Sequence, residues 1–498
     1  MHELKPPWPP PAPWPPPVAL VPPVTRRDGW VRALLVVVLL VGGGALTQRW
    51  GGAVGSQHPK AWDPRVEPLA RFVETTRGLQ FRYPVRVDFL SEDEFLAHVR
   101  AGGAAPVELA MTDTSAELPL ERAFGLVPRS FERAKATSDA AAGVVGAYDP
   151  DEERIRVRGE SMTVAVRVTL VHELTHALQD QVFALDRVRG SSTTRAGAAA
   201  VLAVIEGDAS TVERRYAAEL TAAERDSYAR ETSGVASSDE LSRVPGALLA
   251  TIEMPYALGP AFVQTVDRAG GASRRDDLFR LPPTNDLELL FPELQLDGWA
   301  GPTRPAPPVL ASGEVEIGAR RFGDDLGAFG WLTILAGRLD VHDAVRAVQE
   351  WGGDRYVTFR RDGAVCARAS VVASSNVGAH RLEDALGRWI DAGPSGSASK
   401  ERSGTTFTLT SCDTGLQDPP TDGRYGAALT LLAIRDEALS ALTPFGRDDL
   451  TTAQRVCIGD ATSGGLTLDE LQRPDQLTAA RIHEVGRNAM LSCGVSAR

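Results

Sequence analysis

One stretch limits the fold more than any other: Val168-Thr-Leu-Val-His-Glu-Leu-Thr-His-Ala-Leu-Gln-Asp180 contains the pattern H-E-x-x-H. As a helix it sets His172 and His176 one turn apart on a single face, where both imidazoles reach one ion, as a zinc site requires. Glu173 then lies beside the metal, placed to take a proton from a zinc-bound water as a general base. Val166, Leu170, Leu174, Ala177 and Leu178 fall at helical spacing with no Gly or Pro among them, so the spacing predicts a helix. With only 8 histidines in the chain the pattern rarely arises by accident. The plain alternative is two core or surface histidines on a helix, and a third ligand is what decides against it.

A catalytic zinc takes three protein ligands. Leu202-Ala-Val-Ile-Glu-Gly-Asp-Ala-Ser-Thr211, inside a segment from 193 to 231 that reads as helix almost throughout, offers the third. Glu206 stands in an apolar run, where an unpaired carboxylate is costly to bury and coordination to a cation removes the cost. Asp208 competes, but two positions along a helix point about 200° apart, so both cannot face one ion. Glu206 is therefore the expected ligand and Asp208 an expected partner behind a histidine. Gly207 is expected to let the two helices approach closely. The plain reading of Glu206 is an exposed helix charge.

The chain has 498 residues, room for two or three domains, and a net charge of -12 with no cluster of Lys and Arg, which argues against a nucleic-acid partner. Residues 1–25 are mostly proline with Trp8 and Trp14 and read as an extended cytoplasmic tail, either a ligand for a proline-reading partner or a tail with none. Residues 26–47 follow as an expected transmembrane anchor. Their uninterrupted apolar part is only about 15 residues, short for a bilayer, but Arg32 can snorkel and Trp30 and Trp50 bracket it. Lys5, Arg26, Arg27 and Arg32 precede it, so the positive-inside rule keeps the N-terminus in the cytoplasm and carries the rest outside; a cleaved signal peptide is the alternative. The 4 cysteines, Cys366, Cys412, Cys457 and Cys493, are an even number without C-x-x-C spacing, which favours disulfides over a metal. Three pairings are open. A bridged helical hairpin would join Cys457 to Cys493 and leave Cys366 with Cys412.

Residues 48–62 read as a linker. Ser91 and Glu94 form a capping box. Residues 143–158 read as a hairpin turned at Asp149-Pro-Asp, with Arg154, Arg156 and Arg158 alternating along an edge strand able to add an extended peptide; a merely protected sheet edge is the alternative. Residues 63–310 form the expected catalytic domain. Residues 311–392 form an α+β unit with two helices over 324–350, a hairpin turned at Asp362-Gly363, and Asp354 and Arg355 as a structural ion pair. Residues 393–404 read as a second linker, and 405–498 as a mainly helical, disulfide-bridged region.

The order strand, hairpin, HELTHALQDQ helix and EGDAS helix resembles the gluzincin-type zinc metallopeptidases. Met254-Pro-Tyr-Ala-Leu-Gly-Pro, Pro282-Pro-Thr-Asn-Asp-Leu-Glu and Trp351-Gly-Gly-Asp-Arg-Tyr look like segments recurring in exported bacterial proteins of that kind. Over roughly residues 60 to 392 the resemblance implies a zincin-like α+β catalytic domain, a small mixed sheet with active-site helices. It also implies one zinc held by His172, His176 and Glu206, Glu173 as base, and a peptide or protein substrate. Many gluzincins carry an acidic residue four positions after the glutamate ligand; here that position is Ser210, which leaves the support of the ligands open. Tyr256, in an expected Pro-Tyr loop, is the first candidate to hold the oxyanion and Tyr216 the second. His98, His342, His380 and His483 are assigned no role. The competing functions are a non-catalytic envelope scaffold and hydrolysis of a non-peptide bond.

Overall fold

Strand and helix stretches alternate along the chain, and the computed structural model is accordingly α+β, with two small sheets among many helices. It describes residues 37–40, 58–98, 114–131, 144–233, 244–296, 301–318, 323–415, 419–442, 450–473 and 476–495. The first part runs β1 (Val37–Leu40), α1 (Glu67–Arg77), β2 (Arg86–Leu90), α2 (Glu92–His98), α3 (Thr114–Ala123), β3 (Val144–Asp149) and β4 (Arg154–Arg158). The helices around the candidate site follow: α4 (Val164–Phe183), α5 (Leu185–Arg189), α6 (Arg195–Glu219), α7 (Ala222–Ser233) and α8 (Gly246–Arg280). Next come α9 (Leu287–Leu290), α10 (Glu293–Leu296), β5 (Val315–Glu316), α11 (Gly327–Ala336) and α12 (Val341–Val348). The second sheet and its helix are β6 (Trp351–Arg361), β7 (Ala364–Ala373), α13 (Asn376–Asp391), β8 (Ala398–Ser403) and β9 (Thr406–Cys412). Helices α14 (Arg424–Leu442), α15 (Thr452–Gly464), α16 (Leu468–Gln472) and α17 (Ala479–Ser492) come last.

The first sheet has the order β1-β3-β4-β2, with β3 and β4 antiparallel and both outer strands parallel to their neighbours. This overturns the edge-strand expectation for residues 154–158: β4 is paired on both sides and has no edge to offer a peptide. Its arginines are not free either, since Arg154 pairs with Asp88 at 2.9 Å and Arg156 with Asp149 at 3.3 Å. An alternating sequence shows which face each residue takes but not where in the sheet the strand lies, and the parallel partner β2 comes from over sixty residues upstream.

The N-terminal expectation also changes. Val37–Leu40 is extended and pairs with β3 in parallel register rather than helical, as a β-branched Val-Val-Leu-Leu run permits. The rest of 26–47, the proline-rich tail and residues 48–57 lie outside the described residues. Among the described residues the helix long and apolar enough to cross a membrane is α8. It packs on α6 and α14 and buries Met254, Leu258, Phe262, Val263 and Val266, as a core helix does.

The second sheet is antiparallel, β5-β6-β7-β9-β8. Asp362 (φ 51) and Gly363 (φ 82) turn the β6–β7 hairpin as expected for a tight Asp-Gly loop. Residues 398–403, inside the expected second linker, instead form the outer strand β8. Its Ser-Lys-Glu-Arg-Ser content resembles a loop because an outer strand is kept polar. The expected boundary near 404 therefore cuts through a hairpin, and β9 continues the sheet of the preceding unit. Cys366 and Cys412 are paired across β7 and β9 and form one disulfide; Cys457–Cys493 joins α15 to α17. The expected ion pair between Asp354 and Arg355 does not form: Asp354 caps α11 at Leu326 N (2.7 Å) and Gly327 N (3.1 Å), while Arg355 pairs with Asp324.

Candidate metal centre

Helix α4 starts where Thr163 caps it, the hydroxyl accepting from Val166 N at 3.3 Å. Its apolar residues are spread around the axis and it is buried on nearly every face, lying on β3 and β4 with α1, α6 and α7 around it. Gly146 lets β3 run close over it, since a Cβ there would stand 2.5 Å from Thr169 Cγ2 and 3.3 Å from Glu173 Oε1. Helix α6 brings Glu206 to the same place.

There Glu206 Oε2 lies 3.2 Å from His172 Nε2 and 3.4 Å from His176 Nε2. A tetrahedral ion with N and O ligands at about 2.0–2.1 Å has ligand-to-ligand edges of about 3.3 Å, which the two contacts of Glu206 match. Among the described residues these are the side chains grouped closely enough to hold a metal ion, with ligand atoms all within 4.8 Å of one another. Buried polar atoms left without hydrogen-bond partners point the same way: Glu206 Oε1, His176 Nε2 and both oxygens of Glu173. Exposure is 1% at His172 and 0% at Glu173, His176 and Glu206, so the centre is closed to bulk water as it stands.

The support behind the ligands differs from expectation. His172 Nδ1 meets Glu213 Oε2 at 2.8 Å, a residue the sequence reading missed. Glu213 is seven positions, two turns, past Glu206 and on the same face, so it fills the place left open by Ser210. Asp208 touches neither histidine. Gln179 Nε2 donates to Asp208 Oδ2 (2.8 Å) and to Ile205 O (3.1 Å), which turns Gln179 Oε1 toward His176 Nδ1 at 3.0 Å. Asp208 is held in turn by Arg77 Nε at 2.8 Å, and Arg77 also donates to Asp276. Because both Nδ1 atoms face acceptors, each neutral ring presents its Nε2 lone pair to the centre.

Electrostatics reflect this crowding. Burial opposes the charged imidazole of His172, but Glu206 and Glu213 overcome it and push the group up to about 10. Burial alone would raise Glu206; His176 and His172 hold it at about 2. Burial keeps His176 below its ordinary value and pushes the Glu173 carboxyl well above its own.

Tyr256 is brought to the centre, though not on a loop. Residues 246–270 are helical through Pro255 and Pro260; Gly271 (φ 69, ψ -170) then breaks the run before it resumes to Arg280. Pro260 has no N–H to give the Tyr256 carbonyl, and Arg214 Nη2 takes up that oxygen at 3.5 Å. Gly207 serves a helix other than the expected one: a Cβ on it would stand 2.3 Å from the carbonyl carbon of Gly259, so the Gly207–Gly259 contact sets α8 directly on α6. Tyr256 lies one turn before Gly259, and burial, with the charges of Glu206 and Glu173 adding, pushes its hydroxyl well above its ordinary value. Tyr216 instead faces Arg167 Nη1 at 3.4 Å and the Phe72 ring, away from the metal ligands. Comparison with family models, with curated proteins and with solved structures returns no match for this chain.

Proposed function

We propose that this chain is a zinc-dependent peptidase with a gluzincin-type site in a zincin-like domain, acting outside the cytoplasm. The observation that carries the reading is Glu173: a buried carboxylate with both oxygens unpartnered, next in sequence to one histidine of a converging His172, His176 and Glu206 set. A purely structural metal site has no use for that second acid. When bound, a zinc ion held by these three residues supplies Lewis acidity toward a carbonyl and makes water a better acid. Glu173 takes the proton from the attacking water and returns it to the leaving amine. Tyr256, kept protonated by burial, is the neutral donor at the centre that can hydrogen-bond the developing oxyanion. Glu213 and Gln179 hold the imidazoles in orientation.

The two disulfides support an oxidising compartment. The anchor reading of residues 26–47 is carried by sequence alone, and the strand pairing at Val37–Leu40 stands against it. One observation favours a second reading, a non-catalytic scaffold: the complete closure of the centre. The two are separated by incubating the zinc-loaded full chain with a peptide library beside E173Q. The variant is expected to keep its zinc and lose turnover by about 10²–10⁴-fold; equal turnover in both proteins removes Glu173 as base, and none in either favours the scaffold.

A further inference from the structure

Helix α5, the short turn after α4, ends on Arg189, and the guanidinium it carries has no obvious employment. Nε, Nη1 and Nη2 are all shut off from solvent and none has a hydrogen-bond partner. Five N–H donors enclosed without an acceptor are costly, and arginine stays charged, so such a group persists only where something else draws on it. The arginines buried as whole residues are spoken for. Arg77 donates to Asp208 and Asp276, and Arg435 grips Glu293 with two nitrogens.

Arg189 sits on the turn between the two helices that carry the candidate ligands: α5 packs against α4 and α6, and Leu185 N at its start bonds Asp180 Oδ1. Burial pushes it below its ordinary value, against the attraction of Asp186, Glu206 and Asp180, with Tyr148 contributing last. Glu206 is a ligand of the centre, Tyr148 lies on β3 two residues past the Gly146 that abuts Glu173, and Asp180 is one turn beyond His176. None of them reaches it in a hydrogen bond: Asp186 is exposed to solvent, and Glu206 Oε1 itself stands unpartnered. Asp180 spends Oδ2 on the Tyr148 hydroxyl (2.9 Å) and Oδ1 on Leu185 N (2.8 Å), and Glu206 Oε2 is engaged by both histidines. A planar fork of donors closed off on the turn between the ligand-bearing helices matches one ligand chemistry best, a carboxylate bound through two parallel hydrogen bonds.

We propose that Arg189 recognises a carboxylate of the substrate next to the metal centre, either the α-carboxylate at a peptide C-terminus or an acidic side chain. This rests on the peptidase reading and adds a specificity to it: peptides bearing that carboxylate are preferred over those lacking it.

The test uses the zinc-loaded full chain carrying E173Q, so that peptides bind without being cut. Three matched peptides are titrated calorimetrically: one with a free C-terminal acid, its C-terminal amide, and an amide with one internal Gln replaced by Glu. One of the two carboxylate arms is expected to bind about 10–100-fold more tightly than the plain amide, and the arm that does so names the source. Adding R189Q is expected to erase that difference while leaving zinc content and amide affinity unchanged. R189K, which keeps the charge and loses the fork, restores part of it. In the Glu173 background the same preference appears in KM and leaves kcat of amide substrates unmoved. A preference that survives R189Q, or equal binding of all three peptides, overturns the assignment. Tight carboxylate binding that depends on Arg189, with no peptide cut by the wild type, sinks the peptidase reading and leaves Arg189 as the carboxylate site.

Discussion

His172 and His176 are each steered from behind by a different kind of group, a carboxylate for the first and an amide for the second, and this asymmetry has a measurable consequence. Glu213 is charged and only partly covered, with a direct hold on His172 Nδ1. Replacing it by glutamine is expected to weaken zinc binding about 10–100-fold without removing a ligand, read by competition with a chromogenic chelator; unchanged affinity would mean that Glu213 does not support the site. The grouping of the candidate ligands was legible because its evidence is local: two histidines four apart, and a glutamate set in an apolar run where an unpaired charge makes no sense. Glu213 was not, since it opens the run Glu213-Arg214-Arg215, which resembles the solvated side of a helix. Asp208 was placed correctly opposite Glu206 but given the wrong neighbour, because Gln179 intervenes and an amide carries no charge to signal its role.

At the scale of elements, the misreadings share a cause, which is that packing overrode local chemistry. Pro255, Gly259 and Pro260 resemble loop punctuation, yet α8 continues through them because Gly259 meets Gly207 and the apolar face stays buried. Residues 398–403 look like a linker and form a sheet margin. Helix α11 shows how strongly tertiary partners can fix a helix start. It has no capping side chain of its own; Asp286 accepts from Ala328 N (2.8 Å) and Phe329 N (3.0 Å), and Asp354 from Leu326 N, Gly327 N and Trp351 Nε1. Burial pushes Asp354 up to about 7 and Asp286 to about 6, with Asp325 adding to both. In the window from about pH 4 to pH 7 the folded chain keeps protons that the unfolded chain has lost, so the stability tied to these groups falls as pH rises through it. Unfolding free energies from urea titration are therefore expected to drop more between pH 5 and pH 8 for the wild type than for D354N, by on the order of 1–3 kcal/mol. D354N is itself less stable, because one of three buried donors loses its acceptor. Parallel pH profiles would show that Asp354 does not titrate in that range.

Taken as a whole, one large apolar core joins most of the described molecule, with two small clusters beside it, at Leu450, Ile458, Ala489 and Val495 and at Val357, Phe359 and Cys366. It runs from Val66 and Leu174 beside the candidate centre to Trp331, Trp389 and Leu432 in the later helices. The later elements share in this packing: Arg435 on α14 is fully buried against Glu293 on α10, and the second sheet is completed only by β8 and β9. Such long-range closure leaves little trace in sequence, where polar stretches between elements look like boundaries whether or not the elements pack together. What the whole arrangement secures is the meeting of α4 with α6, and with it three ligand atoms from two helices. The most direct measurement of that claim is elemental analysis of the full chain after zinc loading and dialysis, beside H172A, H176A and E206Q. The wild type is expected to retain about one zinc per chain and each variant to release it, whereas full retention by E206Q, or a wild type that holds no zinc, would contradict the account.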